Sequence, residues 1–439
     1  MDLLIYLEKN NSRVEYIFHH VFKCVLGLDI HLTTDRSFFL QSQCPKIQYA
    51  QEPISADIFF SSASILFEKN VKKQNLKQMR YQGVNVLFPC RHDSSVLPFD
   101  PFAASFYMLT RYEEYVSDVR DKMGRFPAKE SIAYQHGFLS VPVVDHWILF
   151  VKKIIQKKFS HLVFKEHRFE FVNTIDVDNA CAYKEKNIFR TVGAIIRNVL
   201  QFNVREIIER FKVFFLNKKD PYDNYDKLLD IHHKFNLKTI FFFLLGDYGK
   251  YDKSIHFKNR FLQQKIKDLH KFVDIGIHSS FQSIHEPSKQ LKEINRLYNV
   301  LDIPITKIRQ HYIILNIPFF YQNLIKNGVK QDYSMGFPEL PGFRAGTSYS
   351  FHFFDLSSDN ATELLVFPFC IMDVTLNNYM QLKSNNALET IISIIDQVKQ
   401  VNGFFISIWH NETLSYKGQW LGWGHVYENM IKYILHGKY

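Results

Sequence analysis

The sequence predicts an α/β protein, a parallel barrel or open sheet of about seven strands preceded by a smaller α+β domain. Three observations lead there. From residue 169 onward, short apolar segments ending in a polar residue alternate with helical stretches. Before about residue 165 the segments are short and mixed in type, without that alternation. A chain of 439 residues is also too long for one small core and comfortable for two.

The elements follow in order. A first strand, residues 3–7, precedes an amphipathic helix from Arg13 to Leu26, with Tyr16, Ile17, Val21, Phe22 and Val25 near helical spacing. Alternating segments such as Ile47-Gln48-Tyr49 come next. Asp100 suits an N-cap and Pro101 a first helical position, for a helix running through Tyr115. Its acidic pair, Glu113 and Glu114, is expected on a solvated face. A further helix, about 142–158, ends in charged residues, and the boundary is placed near 160–168, giving domains 1–165 and 166–439. Strands are then expected at 169–176, 238–245, 272–277, 306–314, 329–335, 363–372 and 403–409.

Between the first two of these lies an insert, residues 187–219, whose apolar residues recur at helical spacing. Seven Lys and Arg against two Glu fill the rest of it. Such a basic amphipathic stretch either docks on its own domain or makes peripheral contact with a membrane surface.

Composition narrows the classes. An apolar fraction of 46% with 22% charged residues belongs to a folded chain. Five scattered cysteines without a C-x-x-C argue for a reducing cytoplasm and against a thiolate zinc site. No apolar run reaches membrane-spanning length, and Met1 to Glu8 lacks the basic start of a signal peptide. A net charge of +10 invites a polyanion, but no zinc-finger, RNP-type or helix-turn-helix pattern accompanies it. No nucleic-acid partner and no obligate protein partner are expected.

The strand ends carry the chemistry. Asp176 and Asp178, two apart on one strand, point to the same face and repel unless something positive joins them. A solvated pair is the plain alternative. The later ends supply Asp247, His278, Arg309 with His311, Asp332, Asp373 and His410. In parallel α/β folds reactive groups sit at those ends. Carboxylate and imidazole together suit a borderline divalent ion such as zinc, and hence hydrolysis.

The order T-x-D-x-D, H-S, R-x-x-Y, D and a late strand ending in His resembles the polysaccharide deacetylases of carbohydrate esterase family four. Thr174-Ile175-Asp176-Val177-Asp178, His278-Ser279-Ser280-Phe281, Arg309-Gln310-His311-Tyr312, Asp332 and Ile406-Ser407-Ile408-Trp409-His410 carry the resemblance. It implies a distorted (β/α) barrel and a metal-dependent removal of acetyl groups from a saccharide. Asp176 would be the base, Asp178 and His278 metal ligands, Arg309 the residue orienting Asp176, and His410 the acid positioned by Asp332. The basic insert, Asp220-Pro221-Tyr222-Asp223, residues 237–242 and residues 341–347 resemble a bacterial branch with an extra N-terminal domain.

Three departures stand out. Val177 separates the two acids, Gln282 stands where the family has a second His, and the apolar spacing before His410 is altered. An amide is a poor transition-metal ligand. His311, on the same strand face as Arg309, is the substitute, or else it merely supports the ligands through a hydrogen bond. The resemblance implies an enzyme of a bacterial surface-polysaccharide pathway, acting on the polymer or a lipid-linked precursor. The cysteines place it in the cytoplasm, with peripheral contact at the inner membrane through residues 187–219 as an option. A barrel that has lost catalysis and serves as a glycan-binding or assembly protein is the competing expectation.

Overall fold

The computed structural model describes residues 3–55, 58–90, 92–186, 188–415 and 417–437; Asn187, the first residue of the insert, lies outside the described residues. Strands β1 (Leu3–Leu7), β2 (Ile30–Thr33), β3 (Lys46–Ala50) and β4 (Ile58–Ser61) form a parallel sheet in the order β2-β1-β3-β4. The first helix, α1 (Ser12–Phe18), widens over His19–Val25 into i→i+5 bonding, as in the bond from Leu26 N to Val21 O. A small antiparallel hairpin, β5 (Met79–Tyr81) and β6 (Val84–Val86), follows.

Asp100 caps α2 (Pro101–Leu109), accepting bonds from the amides of Phe102 and Ala103 at 2.9 Å, with Pro101 in the first turn. The helix does not run on to Tyr115. Arg111 turns into the left-handed region at φ 52°, and a second short helix, α3 (Tyr112–Val116), begins there. The acidic pair on α3 is buried, not solvated. Glu114 grips the Arg111 guanidinium at 2.8 Å and Arg344 at 2.6 and 2.9 Å, and Glu113 takes Arg111 at 2.6 Å. The sequence shows Glu-Glu without its partners, because Arg344 lies more than 200 residues away. The next helix, α4 (Val143–Lys158), carries buried Asp145, which binds Thr347 and Ser348.

The second sheet has nine strands: β7 (Glu170–Val177), β8 (Lys238–Leu244), β9 (Asp274–Ser279), β10 (Lys307–Gln310), β11 (Gln331–Asp332), β12 (Phe351–Asp355), β13 (Asn360–Val366), β14 (Ile371–Met372) and β15 (Phe404–His410). Their order is β12-β13-β11-β10-β9-β8-β7-β15-β14, parallel throughout except for the antiparallel pair β12–β13. Among the described residues β12 and β14 end the ladder without pairing to each other, so a closed seven-strand barrel is not what forms. The expected strand 363–372 breaks into β13 and β14. The segment between them crosses the open side, with Phe367 N on Asp332 O at 2.8 Å and Cys370 N on Ile406 O at 3.1 Å. The expected strand 306–314 stops at Gln310 because Tyr312 and Ile313 both adopt positive φ, 60° and 56°.

Alternation along the strands explains where the core sits. Ile175, Val177, Phe241, Phe243, Ile275, Ile277, Phe405 and Trp409 face the helices and join a core continuous with that of the first sheet. Val172, Ile240, Phe242, Ile406 and Ile408 face the other way and form a second, smaller cluster. Thr174, Asp176 and Asp178 share that inner face with Val172, and His410 shares it with Ile408. Gly276 fits here for a steric reason: a Cβ would meet the Phe242 ring at 2.5 Å. Arg309 lies over that same ring at 4.8 Å.

The insert forms two helices, α5 (Ile188–Leu200) and α6 (Val204–Phe215). Among the described residues no helix is long and apolar enough to cross a membrane.

Candidate metal centre and active site

Register brings the strand ends to one level. His410 of β15 pairs with Asp176 of β7, and His278 of β9 pairs with Arg309 of β10. The first and last parallel strands of the expected barrel are thus direct neighbours because β15 lies between β7 and β14, without any closure of the sheet's ends.

Asp176 is buried and accepts from Arg309 Nη1 at 3.2 Å. The same nitrogen donates to Thr174 Oγ1 at 2.8 Å, and Arg309 Nε donates to Tyr333 O at 3.0 Å. A fully buried guanidinium needs such partners. Burial still lowers its affinity for the proton, opposed by Asp176 and Asp332.

Asp178, His278 and His311 present one donor atom each, all within 4.8 Å of one another. His278 Nε2 stands 3.2 Å from Asp178 Oδ1, and His311 Nε2 stands 3.3 Å from Asp178 Oδ2. Ligands placed tetrahedrally at about 2.0–2.1 Å from a zinc-like ion lie roughly 3.3 Å apart, close to these edges. Both rings are oriented from behind: His278 Nδ1 on the carbonyl of Arg309 at 3.0 Å, His311 Nδ1 on Asp252 Oδ1 at 2.8 Å. Carboxylate and carbonyl partners of this kind commonly fix metal-binding imidazoles. Asp178 Oδ1 is buried with no hydrogen-bond partner. The donor set therefore fits a divalent cation.

The charges are strongly coupled. Burial pushes the Asp178 carboxyl up, but His311, His278 and His410 outweigh it and hold the group well below the usual carboxylate range. Burial pushes His311 down, while Asp178 and Asp252 carry it up to about 9. His410 is likewise depressed by burial and raised well above the ordinary imidazole value, chiefly by Asp373.

Asp332 does not contact His410. It accepts from Ser334 Oγ at 2.6 Å and Tyr321 OH at 3.2 Å, behind Arg309, and burial pushes its carboxyl up to about 6. The group that holds His410 is Asp373, with Oδ1 at 2.8 Å from Nδ1 and Oδ2 at 2.7 Å from the backbone amide. Asp373 follows β14, the strand beside β15, whereas Asp332 ends β11, four places away on the opposite side of β7. Asp373 stands at a strand end in the sequence, so its position was legible and its partner was not. Asp252 had no signal at all, since it lies in a loop.

Gln282 accepts from Lys289 Nζ at 2.6 Å. His311 stands in the third place because of its turn. Two consecutive non-glycine residues in the left-handed region, one of them β-branched, constitute local backbone strain. Arg125 Nη1 holds the carbonyl of Tyr312 at 3.2 Å.

A family model described only as a family of unknown function matches residues 3–160. No curated protein matches. Similar solved structures include a candidate polysaccharide deacetylase from Mycobacterium smegmatis, 12% identical over 62% of this chain and 86% of that one, with a TM-score of 0.39. A polysaccharide deacetylase from Bacillus cereus is 10% identical over 56% and 80%, TM-score 0.29. A mutant of a family-four pseudoenzyme with restored enzymatic activity is 11% identical over 65% and 77%, TM-score 0.30.

Proposed function

We propose that the protein is a metal-dependent hydrolase that removes an acetyl group from a saccharide. The observation that carries this reading is the pairing of Asp176 with His410 across adjacent strands, beside the Asp178, His278 and His311 triangle. A divalent cation held by those three, zinc being the best match to their donors, would supply Lewis acidity toward the acetyl carbonyl and toward water.

The chain's own groups do the rest. Asp176, oriented by Arg309 at 3.2 Å, takes a proton from the attacking water. Asp373 favours the doubly protonated His410, whose Nδ1–H donates to that carboxylate while the Nε2 proton passes to the leaving nitrogen or oxygen. Thr174 fixes Arg309, and Asp332 stiffens the turn whose Tyr333 carbonyl holds it.

The substrate class rests on the family resemblance alone: a sugar of a bacterial surface polysaccharide or its lipid-linked precursor. Five free thiols agree with a reducing cytoplasm. Residues 1–165 act on this reading as an accessory domain bracing the loop around Arg344 and Thr347 through Glu114 and Asp145. The test is acetate release from a panel of N- and O-acetylated oligosaccharides, with zinc and after chelation. Zinc-dependent release supports the proposal. A protein that takes up no divalent ion and releases no acetate would be a barrel without catalysis.

A further inference from the structure

The hairpin of α5 and α6 is inside out. Fourteen of the 29 large apolar side chains exposed among the described residues lie between Ile188 and Leu216. On α5 the exposed residues Val192, Ile195, Ile196 and Val199 form one stripe at helical spacing. Arg190, Gly193, Ala194 and Arg197 occupy the opposite side and line a cavity of about 700 Å³. α6 repeats the arrangement, with Ile208, Phe211 and Phe215 outward and Glu206 and Arg210 in the cavity wall. A helix docked on its own domain would show the reverse.

The cavity is built from cations. Lys186, Arg190, Arg197, Arg210, Lys253 and Lys417 line it, and Glu206 is the one carboxylate in its wall. Of these cations, Lys417 has a carboxylate partner, Glu209 at 2.7 Å. Arg190 donates to the carbonyls of Lys253 and Ser254. Arg210 is buried, with its guanidinium over the Tyr183 ring at 4.6 Å and its Nε without a hydrogen-bond partner. The cavity also reaches the catalytic end of the sheet, because Asn179 in its wall follows Asp178 and accepts from Asn411 Nδ2 at 2.9 Å.

We propose that this hairpin lies in the interface of an anionic bilayer, apolar stripe toward the acyl chains, and that the cavity behind it receives the phosphate of a lipid headgroup. Charge complementarity selects the occupant. A second copy docking stripe to stripe would bring no counter-charge to Lys186, Arg190, Arg197, Arg210 and Lys253 in the cavity behind the stripe, whereas an anionic headgroup supplies one. The inference concerns where the protein works and what it grips there, and it does not depend on acetate release.

Vesicle binding of the full chain at about 0.1 M salt tests it. Vesicles of phosphatidylglycerol and phosphatidylcholine should bind the protein at least about tenfold more tightly than phosphatidylcholine alone. Ile196→Ser with Phe202→Asn, both at exposed positions, should weaken that binding about tenfold or more. Arg190→Ala with Arg197→Ala should weaken it about fivefold per residue. Millimolar inorganic pyrophosphate should compete. Equal binding to both vesicle types, or competition that fails, would overturn the proposal. So would pyrophosphate binding without vesicle binding, which marks a site for soluble phosphate. A dimer in solution that Phe202→Asn dissociates, with no vesicle binding, would identify a second copy as the occupant and overturn it too.

Discussion

The strand-end cluster and the α5–α6 hairpin break opposite rules of burial. At the strand ends, charges are taken out of water, and most are matched: Arg309 to Asp176, His410 to Asp373, His311 to Asp178 and Asp252. Over the hairpin, apolar side chains are left in water and cations are turned inward with few carboxylates to meet them. Both arrangements cost stability, and neither serves the fold. The contrast separates a site that is already organised from a surface that is incomplete until something covers it.

The largest effect expected is on turnover. His410→Ala and Asp176→Asn should keep a bound divalent ion yet lower acetate release by roughly 10²–10⁴, as for general acid–base groups. Asp178→Ala or His278→Ala should instead lose the ion, read by metal analysis of the purified protein. Asp373→Asn should fall with His410→Ala, while Asp332→Asn should act more weakly, through Arg309. Equal losses for the two asparagine variants would restore Asp332 to the role first expected of it.

Next in size is the buried bridge between the two sheets. Glu114→Gln strips Arg344 of its carboxylate and leaves Arg111 with Glu113 alone, and removing one partner of a buried ion pair typically costs about 3–5 kcal/mol. Chemical denaturation reads it directly, and a loss under about 1 kcal/mol would mean the bridge is dispensable.

Asp145 offers a smaller effect with a sign. Burial pushes its carboxyl up to about 7, against 3.8 for an ordinary aspartate. Between those values the folded protein keeps the proton and the unfolded chain has lost it. Stability from this group therefore falls as pH rises through that window, by about 1.4 kcal/mol per pH unit, and levels off above it. Denaturation at pH 5, 6 and 7 should show a shallower decline in Asp145→Asn than in the native sequence.

The smallest effect belongs to the hairpin. Ile196→Ser, at a side chain already 55% exposed, should change folding stability by less than about 0.5 kcal/mol. A larger loss would mean that the stripe is packed on something in the protein itself, and the contrast with the strand ends would dissolve.

Much of this was legible in the sequence, for a definite reason. Strand-end residues announce themselves because an apolar run with period-two alternation ends in a charge, as at Asp176, Asp178, His278 and His410. What could not be read was pairing between distant segments. The expected barrel already made β15 and β7 neighbours, but nothing in the sequence tells that β14 lies on the other side of β15, so Asp373 and Asp332 were indistinguishable as partners of His410. Glu113 and Glu114 looked solvated because their cations are set by a left-handed turn at Arg111 and a loop at Arg344. The antiparallel strand β12 was missed because its turn, Leu356-Ser357-Ser358-Asp359, falls inside what reads as one long connection.

The strand order also has a consequence for how the protein is made. β7 carries Asp176 and Asp178, yet the neighbour that covers its open edge, β15, follows some 230 residues later in the chain. During synthesis at about 5–20 residues per second, that edge waits ten seconds or more for its partner. Unpaired edges of this kind invite association with other chains. A ribosome that stalls before residue 404 would leave a chain with all three proposed ligands, Asp178, His278 and His311, and no closing strand, so late truncation should show as aggregation before it shows as lost activity.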